Sequence, residues 1–576
     1  MKFSEKQTHK VTLFHHTEGD LGEAELRFGG KLGLVASGGM HSKLFRLDPK
    51  KVLDYVVATG GAYTFTLCDC RVYGERLYPK FLVYGNLKET RFSRIEIQFS
   101  EVSEWFLRWE RVEGEVGKQI TWTRPTDHFS ADVTEGTRHF KVSSNYVGDH
   151  ERVGEDLIVR ERVEFSFEAQ TNLFSLKDIQ EKALDLYTLI SLLIAYPISI
   201  VSINIFTKAG VGHALYFLSV DQWPRERSGD FWLQCFLRKE VMDGRWPLIL
   251  DNYYRDHDLI DVWRRLIGMW RYEGYWEYRL VGFVSLLDRC VDLRTKAHPV
   301  INGTPIARLK KFNRDLYKFL GTQNRAQFNA ISKLATDAFG DSAPSFGDRF
   351  NKAMSATDKE IAAIIGLQHK DFELIKSVRD AVAHGLPPQV TDRHFPGIEI
   401  IIDKISLLLT YWAHLDLGIS KEQFLGGMKT HNRVYMRAVV DRVALARATK
   451  SAPFFKVSPQ ELEDLSARKE LRFDACFIEG PEGEIKLSEE YTQRWKAWMR
   501  DPKCSSSSDD WLTSVGLKPG AAKFPGTVYL ESGSKSREFS CVCIIYKSKL
   551  LPEGVSSSDA APITAPKKRA KRKAKT

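Results

Sequence analysis

The apolar positions change period along the chain. Over the first 170 residues the apolar runs are short, β-branched or aromatic, and bounded by Gly, Asp or Pro. That pattern predicts strands at residues 10–16, 24–28, 64–73, 94–99, 119–122 and 157–167. Residues 162–168 alternate strictly, so that strand should keep one face wet. From about residue 258 to 418 the period lengthens and predicts helices at 258–270, 275–293, 306–320, 326–339, 359–365, 372–384 and 400–417. In the sixth of these, Leu374, Ile375, Val378 and Val382 share one face. Breakers mark loops at 342–347 and 385–388. A further helix, reaching about Ala448, leads into a mixed region with a Ser-rich linker at 504–508 and a strand at 539–546. Upstream, Ser175-Leu-Lys-Asp178 reads as a capping signal for a helix ending near Tyr196, followed by a strand over 198–206. No internal repeat is visible.

The fold class that follows is α+β and multidomain. A β-rich N-terminal domain, an antiparallel sheet or sandwich, is expected over 1–250. An all-helical bundle follows over 255–420, then a small mixed region over 421–550 and a disordered tail over 551–576.

Composition refines this picture. With 43% hydrophobic and 12% aromatic residues the chain can fill several cores, which excludes a disordered protein. The net charge of +10 hints at nucleic acid, but the tail from Pro566 to Thr576 holds seven of those charges, leaving +3 elsewhere. The tail reads as a solvated charge run, or as a nonspecific RNA contact or nuclear-type signal. The Cys68/Cys70 and Cys541/Cys543 pairs lack the turns and histidines of a zinc site, and the other four cysteines are scattered, so reduced thiols in a cytoplasmic protein are expected. The uncharged run 186–203 just reaches membrane-spanning length. Pro197 and several hydroxyl residues interrupt it, and the N-terminus has no apolar signal segment, so neither membrane insertion nor secretion is expected.

The segment Arg379-Asp-Ala-Val-Ala-His384 carries the candidate chemistry. Cutting RNA without a metal requires a base for the 2′-hydroxyl, an acid for the leaving 5′-oxygen and positive charge on the phosphate. His384 can act as base or acid, because imidazole as a residue type changes charge near neutral pH. Arg379 stays cationic and can grip phosphate oxygens in a bidentate fork. Asp380, one turn before His384, is placed to accept its N–H and fix the tautomer. Five residues turn a helix by about 140°, so Arg379 must reach round or two helices must each contribute, which would make a dimer. A helix C-terminus before Gly385 would favour the imidazolium by about 0.3–1 kcal/mol. The competing reading makes Arg379 and Asp380 solvated helix residues and His384 a C-cap.

The segment Ile375-Lys-Ser-Val-Arg-Asp-Ala-Val-Ala-His-Gly385 resembles the signature of HEPN (higher eukaryotes and prokaryotes nucleotide-binding) domains. The wider chain, over about residues 10–420, resembles the ApeA-like proteins. There the supporting pieces are Phe92-Ser-Arg-Ile-Glu-Ile-Gln-Phe-Ser-Glu-Val-Ser-Glu-Trp-Phe106 and the helix–Pro–strand run 184–206. The resemblance implies an anti-phage, abortive-infection protein whose β-rich domain senses or regulates. Its helical domain would be a metal- and cofactor-independent endoribonuclease with Arg379, Asp380 and His384 at the interface of a homodimer. Products would be a 2′,3′-cyclic phosphate and a 5′-hydroxyl, partners an RNA substrate and a phage-derived trigger. Related bundles often carry a Glu on an earlier helix, where this chain offers Asp288. Leu386 stands where nucleotide-silenced toxins of this type have Tyr. Two other readings remain: a catalytically silent HEPN scaffold binding RNA or a phage protein, and a carbohydrate- or protein-binding β domain on a helical oligomerisation module.

Three further features carry alternatives. The run Trp263–Arg279 interleaves aromatics and arginines as an RNA-stacking surface might, yet Trp263, Leu266, Ile267 and Trp270 sit at helical spacing and suit a buried stripe. Gly29 to Gly33 lacks the spacing of a phosphate-binding loop and reads as a turn. His15-His16, with no acid or Cys beside it in sequence, reads as ordinary core or surface histidine.

Overall fold

In the computed structural model the described residues are 1–30, 33–39, 51–107, 112–115, 118–122, 128–219, 235–255, 257–295, 304–321, 324–339, 345–388, 390, 395–430, 437–468, 471–501 and 507–549. The predicted tail, residues 342–344 of the predicted loop, residues 31 and 32 of the glycine turn and most of the Ser-rich linker lie outside them. Contacts group the chain into two units, residues 1–445 and 446–576.

The strands of the first unit are β1 Gln7–His15, β2 Gly19–Phe28, β3 Val35–Ser37, β4 Val52–Gly60, β5 Tyr63–Tyr73, β6 Arg76–Tyr78, β7 Phe81–Tyr84, β8 Arg94–Phe99, β9 Val112–Glu115, β10 Gln119–Trp122, β11 Ser130–Glu135, β12 Arg138–Val153, β13 Asp156–Ala169, β14 Ile200–Phe206 and β15 Gly212–Phe217. Thirteen of them form one sheet, and β9 and β10 pair separately. Six strands close on themselves in the order β4-β1-β2-β3-β6-β5, so the antiparallel sheet is in part a barrel. Closure depends on β5, eleven residues long. Its Phe65–Cys68 part pairs with β7 and its Arg71–Tyr73 part with β6, while β4 lies along its other edge. From β7 the sheet continues as an open wing, β15-β14-β8-β13-β12-β11. In β8 alternate residues Ile95, Ile97 and Phe99 are buried, opposite Phe165 and Phe167 of β13 and Ile203 and Ile205 of β14. The expected alternation in β13 holds in part: Val163, Phe165 and Phe167 are buried while Arg162, Glu164 and Glu168 are more exposed, but Ser166 on the polar face is buried too, its hydroxyl 2.8 Å from that of Ser143.

The helix Leu176–Ile194 starts on the predicted cap. Ser175 accepts the Asp178 N–H at 3.3 Å, and Asp178 accepts the Ser175 N–H at 2.9 Å. Ile179, Ala183, Leu186, Ile190 and Leu193 are all fully buried, as are Leu189 and Leu192. An apolar surface on every side demands packing on every side. This helix meets β8 and also the helices His257–Trp270 and Phe395–Asp416. That position explains the uncharged run, and no described helix is long and apolar enough to cross a membrane. The helix Trp246–Arg255 closes the β-rich region. The Trp246 ring stacks on Phe129 at 4.1 Å and packs against Trp105 and Phe106.

In the helical region Trp276–Thr295 is central, packing against His257–Trp270, Phe346–Ala356, His369–Ala383 and Phe395–Asp416. Lys359–Ile365 has the predicted bounds, and Thr304–Leu320 and Arg325–Phe339 begin within two residues of prediction. One loop assignment is corrected. Residues 346 and 347 are not loop but the first turn of the helix Phe346–Ala356, because Ser345 and Asp348 form a reciprocal capping box. The single helix expected to reach Ala448 is also broken, into Lys421–Thr430 and Arg442–Thr449, with Val439 at a positive φ of 48° between them. Trp263, Leu266 and Ile267 are buried and Trp270 donates to Ser406 at 2.9 Å, so this part of the aromatic–arginine run is a packing stripe.

The second unit is a five-stranded mixed sheet, β16 Phe454–Lys456, β17 Cys476–Glu479, β18 Ile485–Leu487, β19 Ala522–Ser532 and β20 Lys535–Tyr546, in the order β16-β19-β20-β17-β18. Phe455, Leu462, Phe477 and Phe539 belong to one core; Trp495, Trp511, Cys543 and Ile545 belong to the other. The helices Pro459–Ala467 and Glu489–Arg500 contribute to the first and second respectively.

Candidate functional site

The helix His369–Ala383 buries Phe372, Ile375 and Val378, a stripe shifted from the predicted one toward its N-terminus. Phe372 is the anchor. Its ring stacks on Phe350 of the helix Phe346–Ala356 at 4.3 Å with an interplanar angle of 10°, and Phe346 packs against it at 4.8 Å. Both helices lie on Trp276–Thr295, so three helices converge near Arg379.

At this convergence Asp288 sits between two guanidinium groups. Its Oδ1 accepts Arg349 Nη2 at 2.6 Å, and its Oδ2 lies 3.5 Å from Arg379 Nη2. Arg379 Nη1 donates to Asp380 at 2.8 Å. These groups are neither sealed nor free in water: the side chains of Arg349, Asp288 and Arg379 are 21, 25 and 31% exposed. A ligand anion can therefore reach the guanidinium groups, competing with carboxylates already in place.

His384 occupies the C-cap and is exposed. Gly385 follows at φ +69°, its N–H bonded to the Val382 carbonyl at 3.0 Å, and the Leu386 N–H reaches the Ala381 carbonyl at 2.9 Å. This paired closure ends the helix with an αL residue that glycine adopts without strain. The imidazole is thus projected at a helix end, as expected. The expected Asp380–His384 contact is different: Asp380 bonds to Arg379 instead. His384 has left helical geometry, at φ −93° and ψ 7°, so the one-turn spacing no longer stacks the two side chains.

Sequence reasoning placed Arg379, Asp380 and His384 on this helix end and offered Asp288 with its role open. It missed Arg349. The signal was present in the cap Ser345-x-x-Asp348, which opens the helix that carries it.

Among the described residues one other group could in principle hold a cation: His15, His16 and Asp54. The acid that the sequence did not put beside the histidines is supplied by β4. Asp54 lies 3.0 Å from His15 Nε2 and 3.8 Å from His16 Nδ1. However, His15 Nδ1 accepts the N–H groups of Thr17 at 3.3 Å and Glu18 at 3.1 Å, so Nε2 carries the ring proton and donates to Asp54. A metal at Nε2 would need the proton on Nδ1, against two N–H donors. The residues fit a turn-fixing histidine and not a metal ligand.

The buried cysteines behave as packing residues. Burial pushes the Cys68 thiol up to about 12, and Cys70 and Cys235 are also raised, chiefly by burial.

Residues 13–253 match the family model described as ApeA N-terminal domain 1. The N-terminal region is ApeA-like. The matched stretch begins inside β1 and ends inside the helix Trp246–Arg255, so it takes in the barrel, the open wing, the buried helix Leu176–Ile194 and the Trp246 anchor. The chain is ApeA-like over this stretch, and Asp288, Arg349, Arg379 and His384 lie beyond it. No curated protein and no solved structure matches the chain.

Proposed function

We infer that the helical region is a metal-independent endoribonuclease of anti-phage defence, and that the ApeA-like region regulates it. The observation that carries the reading is the convergence of Asp288 and Arg379, 91 residues apart in sequence, with Arg379 on a helix that ends at an exposed His384. An arginine on a merely solvated helix face needs no carboxylate from another helix. Arg379 would hold the scissile phosphate, and His384 would move the proton of the 2′-hydroxyl or of the leaving 5′-oxygen. Asp288 and Asp380 orient the Arg379 guanidinium and yield to the phosphate. The HEPN resemblance supports the same roles, and supports a homodimer in which two helix ends complete one site. The ApeA-like region supports the anti-phage setting, and within this proposal the trigger is phage-derived and the place of action is the cytoplasm.

A second reading has its own observation. Two carboxylates already occupy Arg379, as they would in a silent scaffold that binds RNA or a phage protein without cutting it. The readings separate in one assay with purified protein, cellular RNA and EDTA. New 2′,3′-cyclic phosphate ends that disappear with His384→Ala support the nuclease. RNA retained intact by wild-type protein supports the scaffold.

A further inference from the structure

The helix Thr304–Leu320 has a charged face unlike others in the described chain. Lys310, Arg314 and Lys318 follow one another at i, i+4 and i+8, with Lys311 beside them, and all four are exposed. Each step of four residues rises about 6 Å, so three of the cations form a straight row about 12 Å long. Among the described residues none of the four has an ion-pair or hydrogen-bond partner. That contrasts with Arg279, Arg294, Arg349 and Lys421, each held by a carboxylate. Across residues 304–339 seven Lys and Arg face two Asp, an excess of five positive charges, larger than the net charge of the whole chain without its tail.

Rings accompany the row. Phe312, Tyr317 and Phe319 are exposed, Phe319 by 86% at the end of the helix. Tyr317 also packs edge-on against Phe328 of Arg325–Phe339 at 5.3 Å, which ties the two helices into a hairpin. The second helix adds exposed Arg325 and Lys333. Uncompensated cations with accessible rings beside them are the two elements of a sequence-tolerant grip on single strands: phosphates on the charges, bases on the ring faces. A second copy of the chain would bring the same positive face and be repelled. A lipid surface would need the apolar side of the helix free, whereas Leu309, Leu316 and Leu320 on that side are half-buried.

We propose that the hairpin Thr304–Phe339 is a docking surface for the backbone of single-stranded RNA, separate from the Arg379–His384 site and supplying it with substrate. The proposal rests on the RNA-cleaving reading for its partner, but it is tested without cleavage. The probe is a fluorescent single-stranded RNA with 2′-O-methyl sugars, which lacks the attacking hydroxyl. Its affinity for the full chain is measured by anisotropy across a salt series, for wild type and for K310E/K311E/R314E/K318E.

The variant should bind at least tenfold more weakly, and its log–log salt slope should fall by about 2–3, near 0.7 per lost phosphate contact. Unchanged circular dichroism and melting would show that the exposed changes leave the fold intact, and K310Q/R314Q should give an intermediate loss. Equal affinity and slope for variant and wild type would overturn the proposal. So would unaltered RNA binding together with lost binding to vesicles of anionic lipid. Weakened binding in a chain that never cuts natural RNA would refute the nuclease reading and leave the hairpin standing. Normal cutting with unaltered binding would do the reverse.

Discussion

Among the carboxylates of the first unit that lie between two cations, Asp185 and Asp288 differ in where the water is. Asp185, on the buried helix Leu176–Ile194, accepts Lys182 at 3.4 Å and Arg264 at 2.9 Å. Lys182, 2% exposed, also donates to Glu135 at 2.6 Å and lies over the rings of Phe140 and Tyr254. Asp288 accepts Arg349 and Arg379 with similar chemistry, but all three side chains keep a fifth or more of their surface. This trio joins the β-rich region, through Glu135 of β11, to the helix His257–Trp270. The rings of Phe140 and Tyr254 cover Lys182, and Asp185 is only 8% exposed, although Arg264 keeps 37% of its surface. The other trio can exchange partners. Burial of the carboxylate and of one of its cations, more than residue type, separates a charge cluster that holds the fold from one available to a substrate.

The contrast can be broken by mutation. The largest expected effect is on activity: Arg379→Ala or His384→Ala should reduce RNA cleavage about 10²–10⁴-fold, read by gel with a control melt showing the fold intact. Next, Lys182→Met should destabilise by about 3–5 kcal/mol in urea unfolding, because it takes the buried cation from Glu135 and leaves Asp185 with the half-exposed Arg264 alone. A loss below 1 kcal/mol would mean that water already reaches the cluster.

Acid tests the same buried seam at His414. Its Nε2 donates to the Leu192 carbonyl at 2.8 Å, and burial, opposed by that bond, lowers its pKa from 6.5 to about 4. A base depressed in the fold is protonated first in the unfolded chain. Stability should therefore fall as pH drops from about 6.5 to 4, by about 3 kcal/mol in total, and level off below. His414→Gln should flatten that window; a profile unchanged from wild type would mean another group sets it. The smallest effect belongs to the half-exposed cluster: Arg349→Ala should cost about 0.2–1 kcal/mol of stability. It should still lower cleavage, because Arg349 fixes the carboxylate that orients Arg379. Normal cleavage by Arg349→Ala would remove it from the site.

Much of this was legible because it is local. The capping box at Ser175 and Asp178 set the start of a buried helix, and short β-branched or aromatic runs marked β8 and β13. The helix end at His384 was announced by Gly385. What could not be read depends on distant pairing. Barrel closure requires β5 to pair with β6 and β7 along one edge, and periodicity within β5 says nothing of that. Asp54 reaches His15 across 39 residues. Arg349 was obscured for another reason: Pro344 and Gly347 suggested a loop, while the stronger cap at Ser345 lay between them. Asp380 was assigned to His384 by helical spacing that stops one residue too early.

The most direct test of the account is the chemistry of the RNA ends made by purified protein in EDTA, compared with His384→Ala and with Asp288→Asn. The account predicts 2′,3′-cyclic phosphates from wild type, at least a hundredfold fewer from His384→Ala, and an altered rate from Asp288→Asn with the fold unchanged. Equal yields from wild type and His384→Ala would contradict it.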